Sequence, residues 1–312
     1  MSPELVARLA AGHSVQRVCK VLGVSRSGYY ARRARQTPAR VREDRRLKQQ
    51  ILAAHTAAGG RYGTPRIEQE LRRQGVGTSR KRVARLRREL DLRAKGRRRF
   101  RVTTDSKHAY PLAPNRLERR FHATRPNQVW VGDITYLAQG RRWLYLAVLM
   151  DLYTRRIVGW ALGDRIDEQL TLTALRRAVE SCRPPAGLIH HTDRGAQYAS
   201  RAYRRALEAA GIEASMSRRG DCWDNAPAES LIKTIKAELG RSFLTRELAQ
   251  RELFEYIESF YNTRRLHSGL GYRTPLEAEH EASAQVPTLT GGALSLPAIA
   301  ARASASPRPQ IR

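Results

Sequence analysis

Cysteine and long apolar runs are both scarce in this chain of 312 residues, which has three cysteines. The cysteines lie far apart, and no Cys-x-x-Cys pair or Cys/His cluster offers the spacing of a structural zinc site. The longest apolar run, "WLYLAVLM" at 143–150, has the length of a buried strand and is too short to cross a membrane. No signal peptide pattern opens the chain. We therefore expect a cytoplasmic protein without disulfides, structural zinc or membrane contact.

Acidic side chains are also few, and they are unevenly distributed. The chain carries 58 Lys and Arg against 29 Asp and Glu, a formal net charge of +29. Residues 1–125 account for +24 of this charge and residues 126–312 for +5. So basic a segment requires a polyanionic partner, of which nucleic acid is the simplest, and binding to a ribosome or to a membrane surface is the alternative. The change in charge also indicates a domain boundary.

The first basic segment, residues 1–35, has the pattern of three short helices. Helices are predicted over 4–11 and 14–22, followed by a tight turn at Gly23 and a third helix capped by Ser25. This order is typical of a helix-turn-helix domain, although many small helical bundles share it. We expect a segment of this class that binds DNA.

The second basic segment, residues 36–92, has a similar helical pattern. A helix is predicted over 43–56, and two further helices are predicted in "RYGTPRIEQELRRQG" and "TSRKRVARLRRELDL". The last helix combines an apolar stripe with a run of positive side chains. Such a run is often only a solvated surface, but a run of one sign repels itself unless a polyanion neutralises it. We therefore predict that it contacts double-stranded DNA, with three candidate residues: Arg80, Lys81 and Arg85.

The pattern changes from helical to mixed along the rest of the chain. Residues 93–125 lack periodicity, and we interpret them as a basic linker that could follow a phosphate backbone. The runs "NQVWVGDITYLA", "RRWLYLAVLMDLYT" and "RRIVGWALGD" then predict an antiparallel meander. Strands and helices alternate after it, so an α/β domain with a mixed sheet flanked by helices is predicted over 126–282. Residues 283–312 are rich in Ala, Ser, Pro and Gly, and a disordered tail is expected.

Three acidic residues in this α/β domain stand in unusual places. Asp133 lies in an apolar strand, where Asp is rare and an unpaired charge is costly. Asp193 follows another apolar strand, at the edge where open α/β sheets place their ligands. Glu229 lies in the first turn of a helix that Asp224 or Asn225 can cap, away from the apolar face of that helix. All three could converge on one edge of the sheet.

Each acid also has an ordinary explanation. Asp133 could be salt-bridged within its strand, and Asp193 could form a turn before Gly195. Glu229 could make a surface ion pair with Lys233, four residues later. As a group, however, their carboxylate oxygens suit hard cations such as Mg²⁺ or Mn²⁺. Two such ions, roughly 3.5–4 Å apart, promote in-line displacement at phosphorus.

The spacing of the acids resembles that of a known class of enzymes. Thirty-five residues separate Asp193 from Glu229, and Lys236 follows Glu229 by seven positions on the same helix face. This resembles the D,D(35)E signature of integrases and DDE transposases. The surrounding sequence resembles more closely the reading-frame-B transposases of the IS-three family of bacterial insertion sequences. The matching stretches span roughly residues 60–280, and in order they are "RYGTPRI", "NQVWVGDITYL", "HHTDRGAQYAS", "GDCWDNAPAESLIKTIKAEL" and "YIESFYNTRRLHSGLGYRTPLE".

The resemblance implies a ribonuclease-H-like integrase core with two divalent metal ions, Mg²⁺ or Mn²⁺. It implies that the protein cleaves and joins DNA at the element ends, with a 3′-hydroxyl as the attacking group. Carried over to this sequence, Asp133, Asp193 and Glu229 become the metal-binding triad, and Lys236 becomes the basic residue that holds DNA nearby. The resemblance also implies a homo-oligomer on DNA and, in many members, a frameshift fusion with an upstream frame.

Two departures from the family pattern stand beside the acids. Gly132 occupies a position where the family often has Thr, and Thr192 one where Ser is common. Neither removes a ligand.

Two other functions are compatible with much of this pattern. One is a DNA-binding helix-turn-helix regulator without catalytic activity, and the other is a ribonuclease-H-like nuclease that only hydrolyses DNA.

Further residues could contact DNA or only support the core. Lys233 could bind phosphate or simply pair with Glu229. At least one histidine of "HH" at 190–191 is expected to be packed, and Trp130 is expected in the core. The segment "FYNTRRLHSGLGYRTP" could contact DNA or brace the core. Three side chains that flank the acids could touch DNA or position the triad: Arg194, Gln197 and Asn225.

Overall fold

The computed structural model describes most of the chain. Of the segments predicted from the sequence, most of the helix over 4–11, much of the linker and nearly all of the tail lie outside the described residues. Within the described part, no helix is both long enough and apolar enough to span a membrane. The described residues are 8–9, 11–34, 38–96, 112–218, 221–240 and 242–284.

Two helices of the predicted helix-turn-helix segment are present, α1 (Val15–Val21) and α2 (Arg26–Ala34). The turn between them contains Gly23 with φ +63°, a left-handed conformation that favours glycine. The Ser25 hydroxyl accepts a hydrogen bond from the Gly28 N–H (3.3 Å), as predicted for a helix cap. Among the described residues of this unit, Val18, Cys19 and Tyr29 form a small apolar core of their own.

The second helical unit consists of α3 (Ala39–Ala57), α4 (Thr64–Arg73) and α5 (Arg80–Glu89). Ser79 caps α5 by accepting a hydrogen bond from the Arg82 N–H (3.3 Å). The apolar stripe predicted for α5 is buried and belongs to the same cluster as the core of the α/β domain. The helical unit is therefore packed on that domain, and its buried apolar side chains include Leu47, Ile51, Ile67, Leu71, Val83 and Leu86.

Hydrogen bonds join the helical unit to the segment "FYNTRRLHSGLGYRTP". The Tyr62 hydroxyl donates to the Arg264 carbonyl (2.8 Å) and accepts from the Leu266 N–H (3.0 Å). Arg66 donates to the Leu266 carbonyl (2.7 Å). Of the two interpretations of this segment, the structure therefore gives direct evidence for bracing the core.

The predicted meander and mixed sheet are confirmed. Three antiparallel strands, β1 (Val129–Gln139), β2 (Arg142–Asp151) and β3 (Ile157–Gly163), lie side by side. Strand β4 (Ile189–Thr192) runs parallel to β1, and β5 (Glu213–Met216) runs parallel to β4. The strand order is β3-β2-β1-β4-β5, so β1 lies at the centre. The short β6, Ser242–Phe243, pairs with the end of β1.

Helices cover both faces of the sheet, because alternate residues of each strand point to opposite sides. Trp130 lies in the cluster formed with α6 (Glu168–Cys182) and with two further helices of that side. Val129 and Val131 lie in the cluster formed on the opposite side. The remaining helices are α7 (Ala196–Ala199), α8 (Arg201–Ala209), α9 (Ala226–Glu238), α10 (Arg246–Phe254), which continues as a π-helix over Glu255–Tyr261, and α11 (Pro275–Ala284).

Part of the predicted linker is attached to the core. Leu117 and Ala123 are buried in the apolar cluster that contains α9. The Arg116 N–H donates to the Ser215 hydroxyl (3.0 Å), on strand β5. Residues 112–125 therefore belong with the α/β domain in this structure, whereas the basic residues 97–111 lie outside the described part.

Candidate active site

The register of two parallel strands brings Asp133 and Asp193 to one edge of the sheet. Val131 of β1 lies beside His191 of β4. Asp133 and Asp193 each stand two residues further along the chain, Asp193 just past the end of β4, and the charge of Asp193 lies close enough to raise the pKa of Asp133. The Asp193 carboxylate accepts a hydrogen bond from the Gly195 N–H (2.9 Å), so the turn considered as an ordinary explanation is present as well. That bond fixes the direction of the carboxylate and still leaves the acid at the strand end.

Helix α9 brings the third acid to the same face. Its predicted apolar arc is buried, and it packs in the cluster that contains Val131 of β1. Glu229 lies off this arc, half-buried, in the first turn of the helix. The buried residues of the arc are Ala228, Leu231, Ile232 and Ile235.

The three carboxylates influence one another electrostatically. Burial raises the pKa of Asp133 well above its usual range, and the negative charges of Asp193 and Glu229 raise it further. The Ile134 N–H, which donates to the Asp133 carboxylate (2.8 Å), and the charge of Lys236 act in the opposite direction. Both burial and neighbouring negative charge therefore disfavour the ionised form of Asp133. Across the described ranges, no group of three or more His, Cys, Asp or Glu side chains has a geometry that could already hold a metal ion.

The two lysines of α9 differ in their surroundings. Lys233 donates to the Glu229 carboxylate (2.9 Å), so the predicted ion pair is present. Lys236 is only 7 % exposed, and its ammonium lies 4.2 Å from the centre of the Tyr136 ring, a cation–π contact. This burial could not be predicted from the sequence, because the position of a residue on a helix face does not reveal an aromatic ring on a neighbouring strand.

The expected helix cap is wrong in detail. Asn225 stands at the N-cap of α9, but its side chain makes no capping hydrogen bond; its amide instead donates to the Gly132 carbonyl (3.1 Å). Asp224 is fully buried, and its carboxylate accepts from Arg218 and Arg119. These side chains bond outside the helix because the 3₁₀ turn Cys222–Asn225 precedes α9 and directs them toward the sheet and the flanking segments.

The remaining candidates near the acids are placed as follows. Arg194 donates to the Ser217 carbonyl (2.6 Å), and Gln197 is half-buried beside Gly195. Both lie next to Asp193 along the chain. Trp130 is fully buried, as expected.

Both histidines of β4 are buried, which confirms the expectation for at least one. His190 is hydrogen-bonded to the Tyr203 hydroxyl (2.8 Å), and burial lowers the pKa of its ring to about 3. A Cβ atom added at Gly132 would lie 2.8 Å from the His190 ring. This contact gives a physical reason for glycine where the family often has threonine, because a side chain there would displace His190.

Comparison with known proteins identifies the family. Integrase core domain models match residues 123–222 and 210–275, and an HTH-like domain model matches residues 42–100. The insertion element IS600 uncharacterized 31 kDa protein of Shigella sonnei is 49% identical over 260 residues, which are 83% of this chain and 96% of that protein. The transposase InsF for insertion sequence IS3A of Escherichia coli (strain K12) is 41% identical over 275 residues, 87% of this chain and 96% of that protein. This chain belongs to the IS3 (IS-three) family of transposases.

The fold and the class predicted from the sequence are therefore confirmed: an integrase core with a mixed sheet flanked by helices, preceded by helical domains. Among solved structures, the HTLV-2 integrase catalytic core domain in complex with magnesium (trimeric form) is similar with 16% identity and a TM-score of 0.39, over 51% of this chain and 100% of that chain. The simian T-cell lymphotropic virus intasome in complex with PP2A regulatory subunit B56 gamma is similar with 15% identity and a TM-score of 0.42, over 81% of this chain and 80% of that chain.

The basic helix α5 of the transposase has more acidic neighbours than its sequence suggests. Arg80 pairs with Glu68 on α4 (3.2 Å). Arg85 pairs with Asp44 on α3 (2.6 Å), and this bond is the main reason that the pKa of Asp44 lies below its usual range. The repulsion among the positive side chains of α5 is thus partly relieved by acidic residues of α3 and α4. Lys81 is exposed, and no ion pair is recorded for it within the described residues.

Proposed function

We propose that this transposase cleaves and joins DNA at a divalent-metal site formed by Asp133, Asp193 and Glu229. The observation that carries the proposal is the convergence of the three carboxylates, which the β1–β4 register and the first turn of α9 bring close enough for Asp193 and Glu229 to act on the buried Asp133. A negative cluster that is half-buried and has no structural need for its charge is costly unless a cation neutralises it. Such a cluster at a strand end suits a catalytic site better than a site of structural pairing.

The residues present fit a hard divalent cation. All three would-be ligands are carboxylates, the ligands that Mg²⁺ and Mn²⁺ prefer. Glu229 pairs with Lys233 through one carboxylate oxygen (2.9 Å), and a bound cation would compete with this lysine for the carboxylate. One or two ions bound there would polarise the phosphodiester and stabilise the charge that develops during displacement.

The chain itself holds the acids ready for this chemistry. The Ile134 N–H orients one oxygen of Asp133, and the Gly195 N–H orients one oxygen of Asp193. In the proposed reaction a 3′-hydroxyl oxygen attacks phosphorus, a new P–O bond forms, and the bond to the leaving oxygen breaks. The leaving oxygen takes up a proton as the attacking hydroxyl loses one.

The test is a joining assay with the full chain and with DNA that carries the sequences flanking this gene. Joined product in Mg²⁺ or Mn²⁺, and none with EDTA, is expected. Nicked or shortened DNA without joined product would favour the nuclease that only hydrolyses. Binding without any cleavage, both for the chain alone and together with the product of an overlapping upstream frame, would favour the regulator. Sedimentation of the DNA complex would test the proposed homo-oligomer.

Lys236 should assist by holding DNA near the acids, as we propose from its place on α9. Lys236→Ala is expected to lower the joining rate while DNA binding elsewhere on the protein persists. Tyr136→Leu is the matched control, because it removes the ring under the ammonium and keeps the charge. Equal losses of joining in both variants would mean that Lys236 matters only for packing.

Lys81 should contribute directly to DNA affinity. Lysines that neutralise phosphate release condensed counterions, so log K falls with log[salt] by about 0.9 for each phosphate contacted. Lys81→Ala is expected to make the salt slope less steep by about 0.9, without a change in melting temperature. Measurements of binding to duplex DNA at several salt concentrations provide the slope. An unchanged slope would place Lys81 outside the DNA interface.

A further inference from the structure

The turn that precedes α9 contains a carboxylate with an unusual number of partners. The side chain of Asp224 is fully buried. It accepts from the backbone N–H and from two guanidinium nitrogens of Arg218 (2.9 Å each). It also accepts from Arg119 (2.9 Å) and from the Asn115 amide (3.0 Å). The bonds from Arg218 hold the pKa of Asp224 well below its usual range, so the carboxylate stays ionised.

The backbone of Asp224 is tied to the strand that carries Asp193. The His191 Nε2 atom lies 2.9 Å from the Asp224 carbonyl oxygen, and the His191 Nδ1 atom lies 2.8 Å from the Ser215 hydroxyl. A carbonyl can only accept, so Nε2 carries the proton and Nδ1 accepts from Ser215. His191 stands two residues before Asp193, so this bond fixes β4 close to its acid.

The next residue is tied to the strand that carries Asp133. The Asn225 amide donates to the Gly132 carbonyl (3.1 Å), in the peptide unit that leads directly into Asp133. Asn225 is only 4 % exposed, and no partner is recorded for its Oδ1 atom in the described part of the chain. Glu229 follows Asn225 by four residues, which is about one turn of helix. One dipeptide thus contacts both strands and begins the helix of the third acid.

We propose that Asp224 and Asn225 are positioning residues that set the spacing of the three acids. The inference rests on the proposed metal site and adds a role for residues that do not bind metal. Arg119 and Arg218 anchor the dipeptide from one side, and the hydrogen bonds of His191 and Asn225 carry its position to β4 and β1. Because metal binding requires oxygens at defined separations, a shift of this dipeptide weakens the site even when all three acids are intact.

Asp224→Asn is the variant that tests the role of the charge. It keeps the shape of the side chain, but its amide nitrogen would face Arg218, so the carboxylate's bonds cannot all be kept. Loss of a residue that orients metal ligands commonly weakens metal affinity or activity by about 10–100-fold. We expect an effect of this size on the affinity for Mn²⁺ measured by calorimetry on the full chain without DNA, and on the Mg²⁺ concentration that gives half-maximal joining.

Glu238→Gln is the matched control. Glu238 is also a buried acid of this region paired with an arginine, but it lies at the opposite end of α9. Both variants are expected to lose stability, whereas only Asp224→Asn should lose Mn²⁺ affinity. The positioning role would be overturned if Asp224→Asn and Glu238→Gln bound Mn²⁺ with the same affinity, whether that affinity equals the value for the unsubstituted chain or lies below it.

Arg119→Gln extends the test if Asp224→Asn does not fold. The Arg119 side chain is half-exposed and contacts Asp221 as well as Asp224. Its loss should weaken Mn²⁺ binding in the same direction by a smaller factor, and an unchanged affinity would contradict the proposal. Failure of the unsubstituted chain to bind Mn²⁺ would overturn the proposed metal site and, with it, this inference. If the unsubstituted chain, Asp224→Asn and Arg119→Gln all bind Mn²⁺ with the same affinity, the positioning role is overturned and the proposed metal site still stands.

Discussion

Asp133→Asn is expected to reduce DNA joining and cleavage to the level seen with EDTA. The amide keeps the shape of the carboxylate, and its oxygen can still accept from the Ile134 N–H. It removes one of the negative charges that the proposed ions require. DNA binding should persist, because most of the positive charge lies in residues 1–125. A strand-transfer assay beside a DNA-binding assay measures both effects.

The same substitution should stabilise the protein when no metal is present. Folding raises the pKa of Asp133, so between the unfolded value of about 3.9 and the raised value the folded state binds more protons. The stability of the unsubstituted chain in EDTA should therefore fall as the pH rises through this interval. Asp133→Asn removes the titrating group, and this part of the pH dependence should disappear. Melting curves in EDTA at a series of pH values measure it.

Asp193→Asn and Glu229→Gln should give the same loss of joining, since each removes a charge from the same cluster. Asp164→Asn is a suitable control, because Asp164 forms an exposed pair with Arg246 and carries no role in the site. Substantial joining by any of the three amide variants would refute the triad as assigned. A loss of joining in the control as large as in the triad would point to a general effect of lost charge.

The elements that position the acids could be predicted because each has a local signal. Apolar runs with short polar turns marked the meander, and the apolar arc of α9 marked its buried face. Asp133 was conspicuous because it interrupts an apolar strand, which local composition reveals. The 35 residues that lie between Asp193 and Glu229 link the separate elements through a family resemblance.

The partners of individual side chains could not be predicted in the same way. The sequence predicts that Asp224 or Asn225 caps α9, because short polar residues before a helix usually do. One of the partners of Asp224 in the structure, Arg119, stands 105 positions earlier, and no periodicity connects the two. Likewise Arg85 was considered only with its own helix, whereas Asp44 lies 41 positions away on α3. Pairings that depend on how elements pack become visible only in three dimensions.

Glu238→Ala is expected to cause the largest loss of stability among the substitutions considered. The Glu238 carboxylate accepts hydrogen bonds from two nitrogens of the buried Arg265 guanidinium, the shortest at 2.6 Å, and one from the Tyr256 hydroxyl (2.9 Å). Removing one partner of a buried ion pair leaves an uncompensated charge, which costs about 3–5 kcal/mol. His267 lies next to Arg265 but cannot replace the lost negative charge, because an imidazole is either neutral or positive; burial lowers its pKa to about 2, so the ring is neutral and adds no further positive charge.

The double variant Glu238→Ala/Arg265→Met separates the pair from its surroundings. Replacing both charges with apolar groups removes the unpaired guanidinium, so part of the stability lost in Glu238→Ala should return. Denaturant unfolding of the two single variants and of the double variant measures the coupling free energy. If the losses of the single variants simply add in the double variant, the pair contributes no coupling.

The pair matters for the architecture because the Glu238 carbonyl also accepts from Arg61 (3.4 Å), where the helical unit meets the end of α9. Destabilising this junction should therefore loosen the helical unit and the core together, and a single cooperative unfolding transition is expected for all variants.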